Sequence, residues 1–442
     1  MHHHRSSDRR FLMLLLLISL LAGGLRTAWV LSYSELLTVD VDGYLDIARH
    51  LTEGSGYSAG NPPYHTAFRP PLYPCLVALA LLLPGNVGTL ALFQILMGMA
   101  TVILVGSTAR RIGASTLWSL FAALIVALDP VLIHVSATPM TETLCTFLIA
   151  IWAAVAVSQS VYRHWTAGLL LGLLALCRPT FLPFIGLQIF ALLIYTVLAR
   201  FFSRSPSPSP SDLRPLFRAT VLQLVCIVLC LLPWFIRNGL VVGKWTPATT
   251  HGGYTILLGN NETFYREVLH APWGTSWSGE SLLPWQRRIE EQMQAEDPTL
   301  NTEPERDAWF YRLALRTIQS HPGDFLYSCL WRFGRLWDLL PQSPLRDSIP
   351  VPLRWGMVLW FSLLWFGMLI GIVRILRQGV WEQVLLPLMI LNVSIVHLFY
   401  WTDLRMRAPL IPLVAVLAAL GWQRLFGDRA NFARSRNGDQ SP

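Results

Sequence analysis

Charge is the first thing in short supply. Only 14% of the 442 residues are Asp, Glu, Lys or Arg, against about 25% in an ordinary soluble domain, while 53% are hydrophobic and the mean hydropathy is +0.46. A chain this poor in charge reads as an integral membrane protein. Cysteine is scarce too. Of six cysteines, Cys75, Cys145, Cys177, Cys226 and Cys230 lie in or beside apolar runs and Cys329 alone in a polar one, so neither a disulfide framework nor a CxxC metal site is encoded. A GxGxxG opening a strand–helix unit, a GxxxxGK[ST] loop and an HExxH pair are all missing, which leaves a nucleotide-binding fold, a P-loop motor and a zinc-protease site without support. No internal repeat is present, which weakens the case for a transporter built from inverted halves.

What is present is apolar sequence in long runs. A bilayer is spanned by roughly 20 apolar residues as a helix, and such runs fall at about 11–31, 87–109, 116–133, 141–160, 166–177, 180–201, 218–236, 353–376, 380–400 and 406–424. The first lacks a small-residue cleavage site and is read as an anchor. The net charge of +8 and pI near 9.4 come from 34 Lys and Arg spread around these runs. That is the pattern of topology determinants, and no nucleic-acid partner is expected. With ten spans, Arg5, Arg9 and Arg10, Arg110 and Arg111, Arg163, Arg200, Arg204, Arg214 and Arg218, Arg374 and Arg377, and Arg424, Arg429, Arg434 and Arg436 all fall on one face, the cytoplasmic one.

The expected organisation has three parts. Residues 1–236 form an N-terminal membrane region with an external loop at 32–86, residues 237–352 an external segment, and residues 353–442 the C-terminal spans and a cytoplasmic tail. Loops of this length carry function or a fold of their own. Pro71 to Leu83 is too short to span comfortably and reads as an interfacial or re-entrant helix. In the external segment Gly252-Gly253 and Gly259-Asn260-Asn261 signal tight turns, while 305–319 and 324–340 have helical spacing. The Ser-Pro alternation from Ser203 to Ser211 reads as a disordered linker.

Within the first loop, Val39-Asp40-Val41-Asp42-Gly43-Tyr44-Leu45-Asp46-Ile47-Ala48-Arg49-His50-Leu51 opens a second short helix. Asp42 is a candidate N-cap, with an Asp46/Arg49 pair behind it. Local evidence favours that capping role; the alternative role for Asp42 is a base, because an acid at a helix N-terminus stays ionised.

Charged groups beside apolar spans are costly and face water or a cavity. On the non-cytoplasmic side they are Asp40, Asp42, Arg69, Glu142, Arg178, Arg237, Asp403, Arg405 and Arg407. Acids among several arginines make a place that can activate a hydroxyl and hold a phosphate, since the guanidinium fork donates two parallel hydrogen bonds. Each member has a plainer reading. Arg69 and Arg178 can snorkel beside helix ends, Glu142 gains from a helix dipole, and His251 and His397 suit packed, hydrogen-bonded positions.

Taken together the motifs form a familiar series. Asp42-Gly-Tyr44-Leu-Asp-Ile-Ala48-Arg49-His-Leu51, Glu53-Gly54-Ser55-Gly56-Tyr57-Ser58 and Arg69-Pro-Pro-Leu-Tyr73-Pro74 resemble the first external loop of the GT-C glycosyltransferases. The pattern is similar to that of bacterial members akin to the aminoarabinose transferase of lipid A and to protein O-mannosyltransferases. Thr141-Glu142-Thr143-Leu144, Cys177-Arg178-Pro179-Thr180, Pro233-Trp234-Phe235-Ile236-Arg237-Asn238, His251-Gly252-Gly253-Tyr254, His321-Pro322-Gly323 and Arg405-Met406-Arg407-Ala408-Pro409 follow in order.

The resemblance implies an all-α polytopic membrane fold of about ten transmembrane helices, with two interfacial helices in the first external loop and a small mixed external segment. It implies a glycosyltransferase, hexosyl or pentosyl, in a bacterial inner membrane with its site facing the periplasm or exterior. The donor would be a polyprenyl-phosphate sugar and the acceptor a lipid, a protein or a glycan, among membrane lipids. By position the catalytic acid is Asp42 or Asp40. Arg69, Tyr73, Glu142, Arg178, Arg237, His251, Arg405 and Arg407 are the substrate-binding candidates. A divalent metal is left open. The alternative reading is a polytopic lipid or glycan transporter or flippase.

Overall fold

The protein's structure, a computed structural model, describes residues 2–202, 210–277 and 279–427. Residues 203–209 of the Ser-Pro alternation and the arginines at 204, 429, 434 and 436 lie outside the described residues, while Pro210 and Ser211, expected in the same linker, begin a helix.

The first half of the chain is a bundle with two short helices across one end. A long helix, α1 (His2–Ser32), leads through a loop into α2 (Tyr44–Thr52), a two-stranded ribbon of β1 (Ser58–Ala59) and β2 (Tyr64–His65), and α3 (Leu72–Leu82). Then come α4 (Val87–Arg111), α5 (Thr116–Leu128), α6 (Pro130–His134), α7 (Glu142–Ala156), α8 (Arg163–Cys177), α9 (Phe184–Phe202) and α10 (Pro210–Arg237). The run read as one span at 116–133 is broken. Asp129 takes an extended conformation ahead of Pro130, its Oδ1 accepts the N–H groups of Val131 and Leu132, and the two pieces meet at 49°. A residue before proline is pushed out of the helical region, and an aspartate there caps the next helix.

Residues 237–352 are helical wherever they are regular: α11 (Gly252–Leu258), α12 (Glu262–Phe264), α13 (Gly279–Glu296), α14 (Glu303–Ser320), α15 (Pro322–Leu336) and α16 (Leu345–Ser348). Two expectations need correcting here. Gly252-Gly253 is no turn; it starts α11, whose backbone comes close enough to α14 for the Gly253 N–H to donate to Asp307 Oδ1 at 2.7 Å. And the helical spacing at 324–340 stops at Leu336, because Asp338 turns its Oδ1 to the N–H groups of Leu339 and Leu340. The chain then returns through α17 (Val351–Gln378), α18 (Trp381–Phe399) and α19 (Ile411–Trp422).

Among the described residues six helices are long and apolar enough to cross a membrane, or seven if the bent pair counts as one. The protein is a multi-pass membrane protein. At its centre is α19, buried on every side from Ile411 to Gly421, as a helix apolar all round must be. It is pressed against α17 so closely that a Cβ on Gly371 would strike the carbonyl of Leu417, and one on Gly421 that of Gly367. By contrast α7 and α8 have 15 residues each, about 22 Å of helix at 1.5 Å per residue, against a hydrocarbon core of about 30 Å. Their shortness matters because Glu142 and Arg178 stand at the ends where they stop.

Candidate active site

At one end of the bundle Asp42, Arg69, Glu142, Arg178, Asp403 and Arg405 converge, with Tyr73 beside them. Asp42 sits in the turn before α2. The cap residue of that helix is Gly43, held at φ +75, a conformation glycine adopts without strain, and Asp42 makes no cap. The capping carboxylate is Asp40, whose Oδ2 accepts the Asp46 N–H at 2.8 Å. Asp46 in turn accepts the Gly60 N–H at 2.9 Å and approaches His50 rather than Arg49. With Asp40 spent on the helix, Asp42 is left for other partners. Arg69 donates from Nε to the Asp42 carbonyl at 2.7 Å and from Nη2 to Asp42 Oδ1 at 3.0 Å. Arg405 donates from Nη1 to Asp42 Oδ2 at 3.4 Å.

A second acid–base pair lies alongside. Arg178 reaches Glu142 Oε1 at 2.8 Å, and Arg405 stands 3.7 Å from the same oxygen. Asp403 positions Arg405: its Oδ1 accepts the Arg405 N–H at 2.9 Å and its Oδ2 faces Nε at 3.3 Å. Met140 and Met406 supply sulfur contacts to Arg405 and Arg178. Tyr44 lies under Arg69 with its ring 5.3 Å from the guanidinium, and Tyr73 meets Tyr44 edge-on at 5.1 Å. Glu142 is 1% exposed at its side chain and Asp42 19%, so of the two acids facing Arg405 and Arg178, Asp42 is the one with access.

Burial works against charge on Asp42, but the guanidiniums of Arg69, Arg405 and Arg178 outweigh it and hold the carboxyl below the usual carboxylate range. Buried polar atoms without a partner gather in this region too: Glu142 Oε2, Asp40 Oδ1 and the Tyr73 hydroxyl. In a native site such groups need an explanation.

The remaining expected residues lie elsewhere. Arg237 clamps the ribbon, donating to Thr66 O at 2.6 Å and Tyr57 O at 2.9 Å while covering the Tyr57 and Trp234 rings. His251 is a packed ring, 4.0 Å from Phe68 and stacked at 5.2 Å on Tyr254. Burial, and then the Arg69 charge, push its pKa well below the ordinary histidine value, so it is a neutral imidazole. Arg407 is fully buried between Phe361 and Trp365, donating to the carbonyls of Leu336 and Asp338. It does not join the Asp42 cluster. His397 is packed, with Nδ1 3.0 Å from Thr402 Oγ1.

Sequence reading passed over several participants. Glu303 accepts from Thr66 Oγ1 at 2.5 Å, Ala67 N at 3.0 Å and Thr250 Oγ1 at 2.7 Å, which fixes the strand leading to Arg69. Only spatial proximity reveals it. Gly56-Tyr57-Ser58-Ala59-Gly60 has the GxSxG spacing, but Ser58 is buried in the ribbon with its hydroxyl on Ser55 O and His65 Nδ1, not on a strand-to-helix elbow.

Among the described residues no three His, Cys, Asp or Glu side chains come together as cation ligands, and Asp42, Glu142 and Asp403 each face a guanidinium.

The architecture that carries the cluster has known counterparts. Over 98% of this chain and 52% of the other, it superposes on the archaeal oligosaccharyltransferase AglB from Archaeoglobus fulgidus, solved with an inhibitory peptide and a dolichol-phosphate, at a TM-score of 0.58 and 13% identity. The chain has the GT-C fold. A second structure of the Archaeoglobus fulgidus enzyme, tethered to an acceptor peptide containing the NVT sequon, matches 95% of this chain and 50% of that one at a TM-score of 0.55 and 13% identity. The ArnT structure from Cupriavidus metallidurans bound to undecaprenyl phosphate is a looser match, with a TM-score of 0.43 and 14% identity over 93% of this chain and 78% of that one. The chain spans about half the length of AglB. No protein-family model and no curated protein matches it. GT-C architecture accounts for the helix bundle with short helices over one end.

Proposed function

We propose that this protein is a glycosyltransferase that moves a sugar from a polyprenyl-phosphate donor to an acceptor hydroxyl, with inversion at the anomeric carbon. The observation that carries the reading is Asp42 held between Arg69 and Arg405, with the Glu142–Arg178 pair beside it. The acceptor O–H hydrogen-bonds to Asp42, the acceptor oxygen bonds to the anomeric carbon, the bond from that carbon to the phosphate oxygen breaks, and the proton passes to Asp42. A depressed pKa makes Asp42 a weak base, and that suits a phosphate leaving group. When bond breaking runs ahead, the hydroxyl becomes acidic late in the step, and Asp42 orients it until then. Arg405, Arg69 and Arg178 neutralise the departing phosphate.

The fold shared with AglB, whose structure holds a dolichol-phosphate, supports a lipid-linked donor that enters from between the helices. The topology supports a membrane location with the site away from the cytoplasm. At the opposite end of the bundle, Arg110 pairs with Asp8, Arg163 with Glu382, and Arg374 donates to Leu420 O, which is where the positive-inside rule puts arginines. We read that membrane as a bacterial inner membrane and the site face as periplasmic.

The test is to reconstitute the purified protein with radiolabelled polyprenyl-phosphate sugars and a membrane extract. Label should move into a lipid, protein or glycan. Movement of intact labelled donor across the bilayer, with no transfer, would replace the reading by a flippase.

A further inference from the structure

In a water-soluble protein a surface helix buries its apolar stripe and shows its charges. Helix α15 instead turns two arginines inward beside Trp331 and Leu336 and leaves an apolar face outward. Arg332 and Arg335 are 0% and 1% exposed, while Leu326 is 66% exposed, Leu330 72%, Phe333 47% and Tyr327 49%. Positions 326, 330 and 333 recur at helical spacing and make one face. The inward arginines are used: Arg332 donates to Leu398 O at 2.6 Å and Gly259 O at 2.6 Å, and Arg335 lies over the Trp331 ring at 4.8 Å. The sequence has therefore not misplaced its polarity. It has folded the helix for an apolar solvent.

The neighbours fix how deep the helix lies. Near its start, Phe325 stacks on Phe399, the last residue of α18, and Asp324 pairs with His270 at 2.9 Å in an exposed position. Just beyond its end, Trp337 donates to Ser394 Oγ at 3.3 Å and its carbonyl accepts from Trp365 Nε1 at 3.2 Å. Ser394 is one and a half turns inside the end of α18, about 7 Å, and Trp365 is about 21 Å along α17 from Val351, at 1.5 Å per residue. Helix α15 therefore runs obliquely beside two membrane-spanning helices, its end about 7 Å inside the end of α18. On α18 the exposed residues Leu391, Ile395 and Phe399 make a stripe that Phe325 joins to α15. Trp273, 49% exposed, packs against Gly334 at the lower end of the helix.

We infer that α15 is seated in the leaflet on the Asp42 side of the membrane, with Leu326, Leu330 and Phe333 in contact with lipid acyl chains. Part of the 237–352 segment is then membrane-embedded, and the polar Asp324–His270 pair marks the level where water begins. An aromatic side chain such as Tyr327, one turn from that pair, suits the boundary.

The test uses the full chain in liposomes, with Cys75, Cys230 and Cys329 changed to Ser. Nitroxide labels are placed singly at Leu326→Cys, Leu330→Cys and Phe333→Cys, with Leu391→Cys as the lipid reference and Arg316→Cys, on α14, as the water reference. The expected result is collision with oxygen at the level of 391 and loss of the collision with a water-soluble nickel chelate seen at 316. Nickel access equal to that at 316 overturns the inference, as does spin–spin broadening from a second copy packed on the face. In the unsubstituted chain, a carbene photoprobe carried on an acyl chain should label 322–336 to the same extent as 381–399. Labelling of the spans without α15 overturns the inference even if a cysteine variant fails to fold.

Discussion

Asp42 Oδ2 lies 3.4 Å from Nη1 of Arg405, a residue 363 positions further along the chain. The contact joins the turn before α2 to the segment that enters the central helix α19, and Asp403 holds Arg405 in place for it. The two halves of the molecule thus meet at the acid proposed to handle the acceptor.

Asp40 and Asp42 should separate cleanly on substitution. Asp40→Ala removes the cap on α2 and is expected to cost about 1 kcal/mol, within the range for lost caps, with a correspondingly lower melting temperature and transfer still measurable. A melting curve alongside initial rates checks it. Loss of transfer without loss of stability would mean that Asp40 is the working acid.

The pH response follows from the sign of the Asp42 shift. Arg69, Arg405 and Arg178 lower the folded pKa below the unfolded value of about 3.9. Asp42 therefore contributes stability that is present above that value and lost as pH falls through the folded pKa. No acid limb from Asp42 is expected in kcat/KM between pH 5 and 8. Arg69→Gln removes the strongest of the three opposing charges and should move such a limb upward; an unchanged profile would mean Arg69 does not set the acid.

The Glu142–Arg178 pair should behave as a coupled unit. Arg178→Gln leaves Glu142, 1% exposed, without its closest cation, and removing one partner of a buried pair costs about 3–5 kcal/mol. Combining it with Glu142→Gln should recover part of that loss. A double-mutant cycle on melting in detergent measures the coupling, and additive losses would contradict it.

Glycines at the α17–α19 crossing should tolerate no growth. Gly371→Ala would place a methyl against the Leu417 carbonyl, an overpacking expected to cost about 1–3 kcal/mol. Gly24→Ala, where a Cβ meets nothing within 4 Å, is the matched control. Equal melting temperatures would show that the two helices are further apart than described.

Local chemistry made much of this legible in the sequence. Hydrophobic length marked the long helices, and the polarity switch at Asp42–Leu51 and Pro71–Leu83 marked α2 and α3, because each feature lies within one stretch of chain. Arg69, Glu142, Arg178 and Arg405 stood out as charges at the ends of apolar runs, where only function or solvent explains them. Arg407 satisfied the same rule yet lies under Leu336 and Asp338, since two residues along a helical segment turn a side chain to a different face. The break at Asp129-Pro130 was written in the dipeptide but hidden by the apolar run around it. Glu303 could not be found at all from local pattern, for its three partners come from other segments.

The most direct test of the central claim is the transfer rate of Asp42→Asn, measured with a radiolabelled polyprenyl-phosphate sugar in preparations matched for melting temperature. The account predicts a loss of about 10²–10⁴-fold, the usual contribution of a positioned base, with donor binding retained. A rate equal to that of the unsubstituted protein would remove Asp42 from the reaction and contradict the account.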